Sequence, residues 1–418
     1  MRTLLLFTAS YPYDAASEET FLVPELRALT EAFGHVLLVP RSTAGSKLPV
    51  PPGVEVDETY ASQNRMIAVL QGLLRSSHLR RDLMTEIVRV RSHLLHPARL
   101  LRLLMFLGWA EHTCRWLSNW LRRFADWKPG VLLYSYWFDE TTMGLLLAKR
   151  SRPELQLVSR AHGFDVYEEL YYPYYLPMRP LALAGLNHLF PASEHAARYV
   201  RSRYPELAQK VEAAHLAVSD PGFRSRPSED GVFRIVSCAH IVALKRIDLL
   251  IAAIGAAARR RPAQRFEWLH FGGGASLQAL REAMQRAFPN NAVGAMPGDV
   301  TNQKIMGHYR ANPVDVFANV SETEGGAPVS IMEAISCGIP VLATAVGGNQ
   351  EIVSDRNGML VGPDASVEQV ADALLTFLDN PDRARQMRVE SRAIWEHDFN
   401  AAVTFPAFAR RLASIGEG

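Results

Sequence analysis

Seven residues between two apolar stretches combine carboxylates, glycines and a proline. The segment ETEGGAP, residues 322–328, follows the apolar run PVDVFANVS and precedes VSIMEAISCG, a helix-like run that contains Glu333. Carboxylates accept strong hydrogen bonds from hydroxyl groups such as those of a sugar. The first amides of a helix carry a partial positive charge that suits a phosphate. The segment is therefore typical of a site for a molecule that contains both a sugar and a phosphate.

The same charges have a plainer interpretation. Glu322 and Glu324 could be solvated loop residues, and Glu333 could lie on an exposed helix face, where most carboxylates are found. Residues elsewhere in the chain bear on this choice.

Two further segments bring cations and glycines to the ends of predicted strands. CAHIVALKRIDLL places Lys245 and Arg246 between a strand and a helix, where a point charge and a bidentate fork could hold a diphosphate. The alternative is that these two cations are solvated side chains at the start of a helix. HFGGG contains Gly272, Gly273 and Gly274, which would let the backbone approach a ligand closely. The segment lacks the full dinucleotide fingerprint, so hydride transfer is not favoured.

A histidine ends a strong strand in the first half of the chain. In RAHGFDVYEE, His162 follows the strand and precedes a glycine, a position from which the imidazole could face a ligand. Arg160 and Asp165 flank it and are candidates for the acceptor side of such a site. A purely structural histidine is the alternative.

Alternating strands and helices must position these residues. Short apolar runs begin at Thr3, His35, Gly130 and Leu155, with helical patterns between them, and the rhythm restarts at VFRIVSCAH after a hydrophilic gap. This alternation predicts an α/β class with parallel sheets. We expect two Rossmann-like domains facing across a cleft, with ligands beyond the carboxyl ends of the strands. The expected boundaries are 1–218 for an acceptor domain, 219–231 for a linker, 232–395 for a donor domain and 396–418 for a terminal helix that packs back on the first domain.

Composition narrows the class of protein. The 418 residues suit two domains, and the net charge of +2 by itself favours no nucleic acid partner. Three widely spaced cysteines form no metal or redox pattern, which fits a reducing cytoplasm. The apolar start lacks a cleavage-site context, and no run of about 18 apolar residues occurs, so we expect a cytoplasmic protein without a membrane span.

One helical segment departs from the rhythm because it is strongly basic. Residues 65–128 hold twelve Lys or Arg against four acids and include Trp109, Trp116, Trp120 and Trp127. Arginine mixed with apolar and aromatic residues is typical of a helix on an anionic membrane. The alternatives are an ordinary amphipathic insert with a solvated basic face and, less favoured, a nucleic acid surface, since no recognised binding motif accompanies the charge.

Three elements in this order carry a family resemblance. HGFD at 162–165, LKR at 244–246 and EGGAPVSIMEAISCGIPV at 324–341 are similar to motifs of retaining glycosyltransferases of family 4. SYPYDAASEETFLVPELRAL resembles the start of bacterial exopolysaccharide, capsule and lipopolysaccharide members. The resemblance covers nearly the whole chain and implies the two-domain GT-B fold.

The resemblance also implies roles for individual residues. Glu333 would bind the donor ribose, Glu324 the transferred sugar and Lys245 the diphosphate, assisted by Arg246. His162 would lie near the donor sugar. The Gly272–Gly274 turn would border the nucleotide. The remaining donor-binding candidates are the loop and helix-start residues Gly325, Gly326, Ala327, Pro328 and Val329. The family arrangement needs no metal and no cofactor besides the nucleoside diphosphate sugar.

The implied function is transfer of a sugar, with retention, to a glycan or polyprenyl-linked acceptor in cell-surface polysaccharide biosynthesis, at the inner membrane surface through 65–128. Two departures bear on it. Eight residues separate Glu324 from Glu333, where seven are common, which leaves Glu322 as a rival for the first motif glutamate. Ala239 and His240 replace the usual Gly-Arg before the lysine. A non-catalytic GT-B scaffold, or another GT-B enzyme such as a nucleotide-sugar epimerase, is the alternative.

Overall fold

The computed structural model describes residues 2–14, 18–62, 77–90, 96–123 and 130–416. It divides into two compact units. The first unit comprises Met1–His215 and Phe405–Gly418, and the second comprises Leu216–Thr404. Each unit contains one six-stranded parallel sheet with helices, which confirms the predicted α/β class.

The sheet of the first unit is built from short apolar strands. Its order is β3-β2-β1-β4-β5-β6, and each described strand pairing is parallel. The strands are β1 (Thr3–Thr8), β2 (His35–Pro40), β3 (Val54–Val56), β4 (Val131–Ser135), β5 (Gln156–Ala161) and β6 (His188–Pro191). The interior strands are buried on both faces, as Leu4, Leu5 and Leu6 of β1 illustrate, because helices cover a parallel sheet on both sides.

Two helices of the first unit begin at residues whose side chains cap them. The side chain of Asp139 accepts a hydrogen bond from the Thr141 amide, and that of Ser193 accepts one from the Ala196 amide. The helices are Glu19–Ala32, Ser77–Val90, Pro97–Arg123, Glu140–Lys149, Arg179–Gly185 and Glu194–Arg203. The last helix of the chain, Ala401–Ala413, starts in the second unit and ends in the first.

The second unit repeats the architecture. Its sheet has the order β12-β11-β10-β7-β8-β9. The strands are β7 (Val232–Cys238), β8 (Arg265–Phe271), β9 (Ala292–Gly298), β10 (Val316–Asn319), β11 (Val341–Thr344) and β12 (Gly358–Val361). The helices are Ile247–Arg260, Leu277–Ala287, Asn302–Ala311, Val329–Ser336, Asn349–Ile352, Val367–Asp379 and Pro381–Ile394.

The segment predicted as a linker, residues 219–231, lies within the second unit. Asp220 forms an ion pair with Arg392 at 2.7 Å, and the Ser225 amide donates to the carbonyl of Cys337 at 2.8 Å. These contacts attach the polar segment to the unit that follows it. At the other end of the chain, Phe408 packs within the first unit against Tyr134.

The basic segment 65–128 is described only in part, since residues 65–76, 91–95 and 124–128, with Trp127, lie outside the described ranges. In the helix Pro97–Arg123, Trp116 and Trp120 are buried and donate to Thr59 and Asp57. These two tryptophans therefore belong to the core of the first unit. No helix in the described ranges is long and apolar enough to cross a membrane.

Candidate active site

The central pair of the predicted site forms at the ends of two neighbouring strands. β10 pairs with β7 in the sheet. Lys245 ends a short 3-10 turn after β7, and Glu324 lies in the loop after β10. The Nζ of Lys245 is 2.6 Å from Oε1 of Glu324. The structure thus brings together a cation and a carboxylate that are 79 residues apart in the chain.

Two further donors orient this carboxylate. The Ser321 hydroxyl donates to Oε1 of Glu324 at 2.7 Å, and the Asn319 side-chain amide donates to the same atom at 3.1 Å. Glu324 is buried. Glu322 is exposed, and within the described residues its backbone amide donates to the carbonyl of Leu244 while its carboxylate has no partner. The geometry therefore favours Glu324 over Glu322 as the first glutamate of the motif.

Arg246 contacts the backbone of the same loop. Its side-chain Nε donates to the carbonyl of Val320 at 2.8 Å. The backbone of Arg246 adopts the left-handed conformation, with φ of 44°. A non-glycine residue in that region is uncommon and marks a constrained position. Arg246 therefore holds the loop that carries Glu324, and its predicted contact with a diphosphate stays a prediction.

The second motif glutamate is buried in the helix that follows the loop. Glu333 lies in Val329–Ser336 and accepts a hydrogen bond of 2.5 Å from the side chain of Asn302. Burial raises the pKa of Glu333 to about 7, and the bond from Asn302 opposes this shift. Pro328 is the N-cap residue, so the helix begins at Val329, the first residue of the helix-like run.

The loop between the two glutamates depends on a second glycine pair that the sequence analysis did not single out. Gly347 has φ of 49°, and a Cβ there would collide with the carbonyl oxygen of Glu324. A Cβ at Gly348 would meet the backbone of Gly326 and Ala327. The close approach of these two loops allows no side chain at either position. A doubled glycine one residue after the buried stretch PVLATA is the signal that could have identified them.

The Gly272–Gly274 turn follows β8 and packs against its neighbours. The Gly273 amide donates to Oδ1 of Asp299 at 2.7 Å. A Cβ at Gly272 would meet the carbonyl of Ala239, and one at Gly274 would meet that of Ile241. The protein's own backbone thus accounts for these glycines, and their contact with a nucleotide stays a prediction.

His162 follows β5 in the first unit and lies among aromatic rings. The centroid of its ring is 4.4 Å from that of Trp137 and 5.0 Å from that of Tyr136. Both ring nitrogens are shielded from solvent, and neither has a hydrogen-bond partner within the described part of the chain. Burial, together with the positive charge of Arg160, holds the pKa of His162 well below its usual value. The imidazole is therefore neutral, with one nitrogen able to donate and the other able to accept.

The two residues predicted on the acceptor side, Arg160 and Asp165, are both buried. Arg160 forms an ion pair of 3.1 Å with Glu25 and donates to the hydroxyl of Tyr134. The carboxylate of Asp165 accepts from the backbone amides of His162, Gly163 and Phe138 at 2.7, 3.0 and 2.9 Å. Both side chains stabilise the surroundings of His162, and their contact with an acceptor stays a prediction.

Known proteins share this second unit. Residues 233–380 match the family model described as "Glycosyl transferases group 1". The matched segment is a group 1 glycosyl transferase domain. The chain is a glycosyltransferase. It is 27% identical over 291 residues to the GDP-mannose-dependent alpha-(1-6)-phosphatidylinositol monomannoside mannosyltransferase of Mycobacterium tuberculosis, an alignment that covers 64% of this chain and 73% of that protein.

A second relative comes from Escherichia coli. This glycosyltransferase is 27% identical to the putative colanic acid biosynthesis glycosyltransferase WcaL of strain K12, with 61% of this chain and 62% of the relative aligned. Both relatives are named as transferases, which favours a catalytic protein over a scaffold.

Solved structures show the same fold along nearly the full length. The lipopolysaccharide outer core galactosyltransferase WaaB superimposes with a TM-score of 0.69 at 13% identity, covering 98% of both chains. Anabaena HepE, solved with UDP and glucose, superimposes with a TM-score of 0.65 at 14% identity, covering 99% of this glycosyltransferase and 100% of HepE. These similarities confirm the predicted GT-B fold.

The described residues of this glycosyltransferase therefore concentrate three kinds of group at adjoining strand ends. These groups are a lysine, two buried carboxylates and the start of an eight-residue helix, and they follow neighbouring strands of one sheet. Ser321, Asn319, Asn302 and Asp299 escaped the sequence analysis because isolated polar residues carry no motif. Within the described ranges, no group of three or more His, Cys, Asp or Glu side chains could hold a metal ion.

Proposed function

We propose that this glycosyltransferase moves a sugar from a nucleoside diphosphate sugar to a glycan or lipid-linked acceptor in cell-surface glycan biosynthesis, with retention at the anomeric carbon. The observation that carries the proposal is the pair formed by Lys245 and Glu324 at the ends of β7 and β10. A diphosphate needs a cation, and a sugar needs hydrogen-bond acceptors. The pair supplies both within 2.6 Å.

Lys245 has the charge that the leaving group requires. As the bond from the sugar to the diphosphate stretches, negative charge accumulates on the diphosphate, and fixed positive groups stabilise it. The ammonium of Lys245 and the amides at the start of Val329–Ser336 would supply this stabilisation, so the proposal needs no metal. The ammonium would exchange its contact with Glu324 for one with the diphosphate.

The two glutamates would then contact different parts of the donor. Glu324, oriented by Ser321 and Asn319, would accept hydrogen bonds from hydroxyls of the transferred sugar. Glu333 would accept those of the ribose. The departing phosphate oxygen would take the proton of the acceptor hydroxyl, so Glu324 would position the sugar and need not attack it. Transfer by this route retains the anomeric configuration.

His162 is proposed to contact a sugar through its ring nitrogens. Buried polar atoms without partners are uncommon in proteins and call for an explanation. A neutral imidazole could form one bond as donor and one as acceptor with neighbouring hydroxyls of a bound sugar.

Two donor classes are suggested by the relatives. The mycobacterial relative is named as GDP-mannose-dependent, and the HepE structure contains UDP and glucose. The test is nucleotide release by the purified protein offered GDP-mannose, UDP-glucose and UDP-GlcNAc separately, with candidate acceptors. We expect release from one donor, which Lys245→Ala lowers about a hundredfold to a thousandfold. Arg383→Ala, which removes an exposed cation of the same unit, is the matched control and should leave the rate unchanged.

Retention has its own test in the product. Proton NMR of the isolated glycan gives the anomeric configuration, and the account predicts the configuration of the donor sugar. An inverted product would contradict the proposed route even if the donor assignment held.

We also propose a cytoplasmic protein that associates with the membrane surface through residues 65–128. The described part of this segment exposes Leu100, Leu101 and Met105 on one helix that also carries Arg99 and Arg102. Apolar side chains beside arginines suit an anionic lipid surface. Co-sedimentation with phosphatidylglycerol vesicles should therefore occur at low salt and weaken at high salt. Binding that ignores both salt and deletion of this segment would contradict the proposal.

A further inference from the structure

The first unit contains a cavity of about 460 Å³ that the proposed chemistry does not use. It lies between the helix Pro97–Arg123 and the loop 172–177, and its volume is in the range of small-molecule sites. Ten of its fourteen lining residues are apolar or aromatic, among them Leu101, Met105, Phe106 and Trp109. The cavity is therefore suited to a hydrocarbon group.

The wall of the cavity is fixed by hydrogen bonds. Arg99 donates to the carbonyl of Pro173 at 2.9 Å, which joins the helix to the loop. The hydroxyl of Tyr175 and the amide of Met178 both donate to Glu86, which attaches the other side of the loop to the helix Ser77–Val90. These bonds fix the helix and the loop on either side of the cavity, so a guest would bind between walls that are already in place.

Exposed apolar side chains are concentrated in this part of the first unit, and four of them, Leu101, Met105, Phe164 and Tyr172, line the cavity. Eight of the twelve large apolar residues that are exposed in the described ranges lie on these two helices or in the segment 164–174. Leu101 is 59% exposed and Tyr172 is 65% exposed. Apolar exposure of this kind, gathered beside a cavity, marks an interaction surface. These exposed side chains also continue the apolar lining of the cavity towards solvent, as a long hydrocarbon chain would require.

The charged residues of the cavity favour a ligand with an anionic headgroup. Arg102 and Arg179 line the cavity, and Arg102 donates to the carbonyl of Tyr172 near the exposed rim. Asp139 and Glu140 also line it, but Arg41 forms ion pairs with both, at 2.8 and 2.7 Å. Burial and the neighbouring Asp139 raise the pKa of Glu140 to about 7, which lowers the negative charge further. Arg41 thus offsets the two carboxylates of the lining, and Arg102 is the guanidinium at the rim that an anionic headgroup would meet.

We propose that this cavity holds the hydrocarbon chain of the lipid-linked acceptor, next to the phosphate that joins the chain to the glycan. The chain enters between Leu101 and Tyr172, and the phosphate stays at the rim beside Arg102. This assignment rests on the proposed function, since it names the acceptor class of the same transferase. It explains why an apolar cavity and a cationic rim occur together.

The experiment measures binding of hexyl, octyl and decyl phosphate to the intact protein by calorimetry, with inorganic phosphate as the headgroup alone. Each methylene group that enters the cavity should tighten binding about fourfold. Ala98→Trp fills the cavity, and Met105→Glu places a charge at a position that is 42% exposed and so tolerates it in the fold. Both variants should weaken decyl phosphate binding about tenfold or more. Val389→Glu, at an exposed position of the second unit, should not.

The outcomes separate this proposal from the proposed function. Affinity that is independent of chain length, or equal for inorganic phosphate, would overturn the cavity assignment. So would variants that impair binding to phosphatidylglycerol vesicles but not to decyl phosphate, because these side chains would then contact a bilayer without holding a chain in the cavity. Binding of UDP or GDP, measured on the same preparations, should be unchanged by Met105→Glu. Chain-dependent binding without sugar transfer from any donor would refute the proposed function and leave the cavity assignment standing.

Discussion

The buried carboxylate of Glu333 gives a prediction about stability as well as function. Its pKa is raised from 4.5 to about 7 because the folded protein removes the charged form from water. The folded state therefore binds the proton more tightly than the unfolded state does. Stability contributed by the protonated group is complete below pH 4.5 and is lost as the pH rises through 7. At pH 8 the ionised Glu333 should destabilise the fold.

The magnitude follows from the two pKa values. A difference of about 2.5 units corresponds to about 3 kcal/mol at pH 8, and the same relation gives less than about 1 kcal/mol at pH 5. Glu333→Gln removes the titration and keeps an oxygen that can accept the bond from Asn302. The variant should therefore be more stable than the native protein at pH 8, by up to about 3 kcal/mol, and nearly equal to it at pH 5.

Thermal unfolding of both proteins between pH 5 and pH 8 tests this expectation, with Glu368→Gln at an exposed position as the control. A unit of this size shifts its melting temperature by about 2–4 °C per kcal/mol. The same variant should bind the donor nucleotide about tenfold more weakly or worse, because it would lose the charged hydrogen bonds that we propose between Glu333 and the ribose. A variant whose melting temperature differs from the native value equally at pH 5 and pH 8 would refute the reasoning.

Three further substitutions test residues that hold Glu324 and the surroundings of His162 in place. Ser321→Ala removes the 2.7 Å bond to the first motif carboxylate and should lower kcat about tenfold or more; a native kcat would contradict the positioning role. Gly347→Ala should destabilise the protein much more than Gly222→Ala, since both have positive φ but only Gly347 is crowded, and equal melting temperatures would contradict this. Arg160→Met should cost about 3–5 kcal/mol of stability by leaving a buried carboxylate unpaired, and adding Glu25→Gln should restore much of it; a double variant no more stable than the single one would refute the pairing.

Periodicity alone was enough to predict the two parallel sheets. Strands such as β1 and β10 are short apolar runs between polar turns, and their alternation with helices has few other solutions. The position of Lys245 and Glu324 at strand ends was predictable for the same reason, because the carboxyl ends of parallel strands lie at one edge of the sheet. Tertiary contacts were not predictable in this way.

Asn302 illustrates what the sequence could not reveal. It lies 31 residues before Glu333 at the start of a polar helix, and only the packing of that helix brings its amide to the carboxylate. Trp116 and Trp120 illustrate a sequence pattern that allows two interpretations. Their spacing beside arginines is also that of a membrane-facing helix, but Thr59 and Asp57, far away in sequence, accept their indole hydrogens and turn them to the core.

The most direct test of the central claim compares two neighbouring glutamates in one assay. Nucleotide release from the preferred donor is measured for Glu324→Ala and Glu322→Ala, which remove the same group from positions two residues apart. The account predicts that Glu324→Ala loses about a hundredfold or more of the rate, because its carboxylate is buried and paired with Lys245, while the exposed Glu322→Ala keeps it. Equal rates for the two variants, or a loss confined to Glu322→Ala, would contradict the assignment of the site.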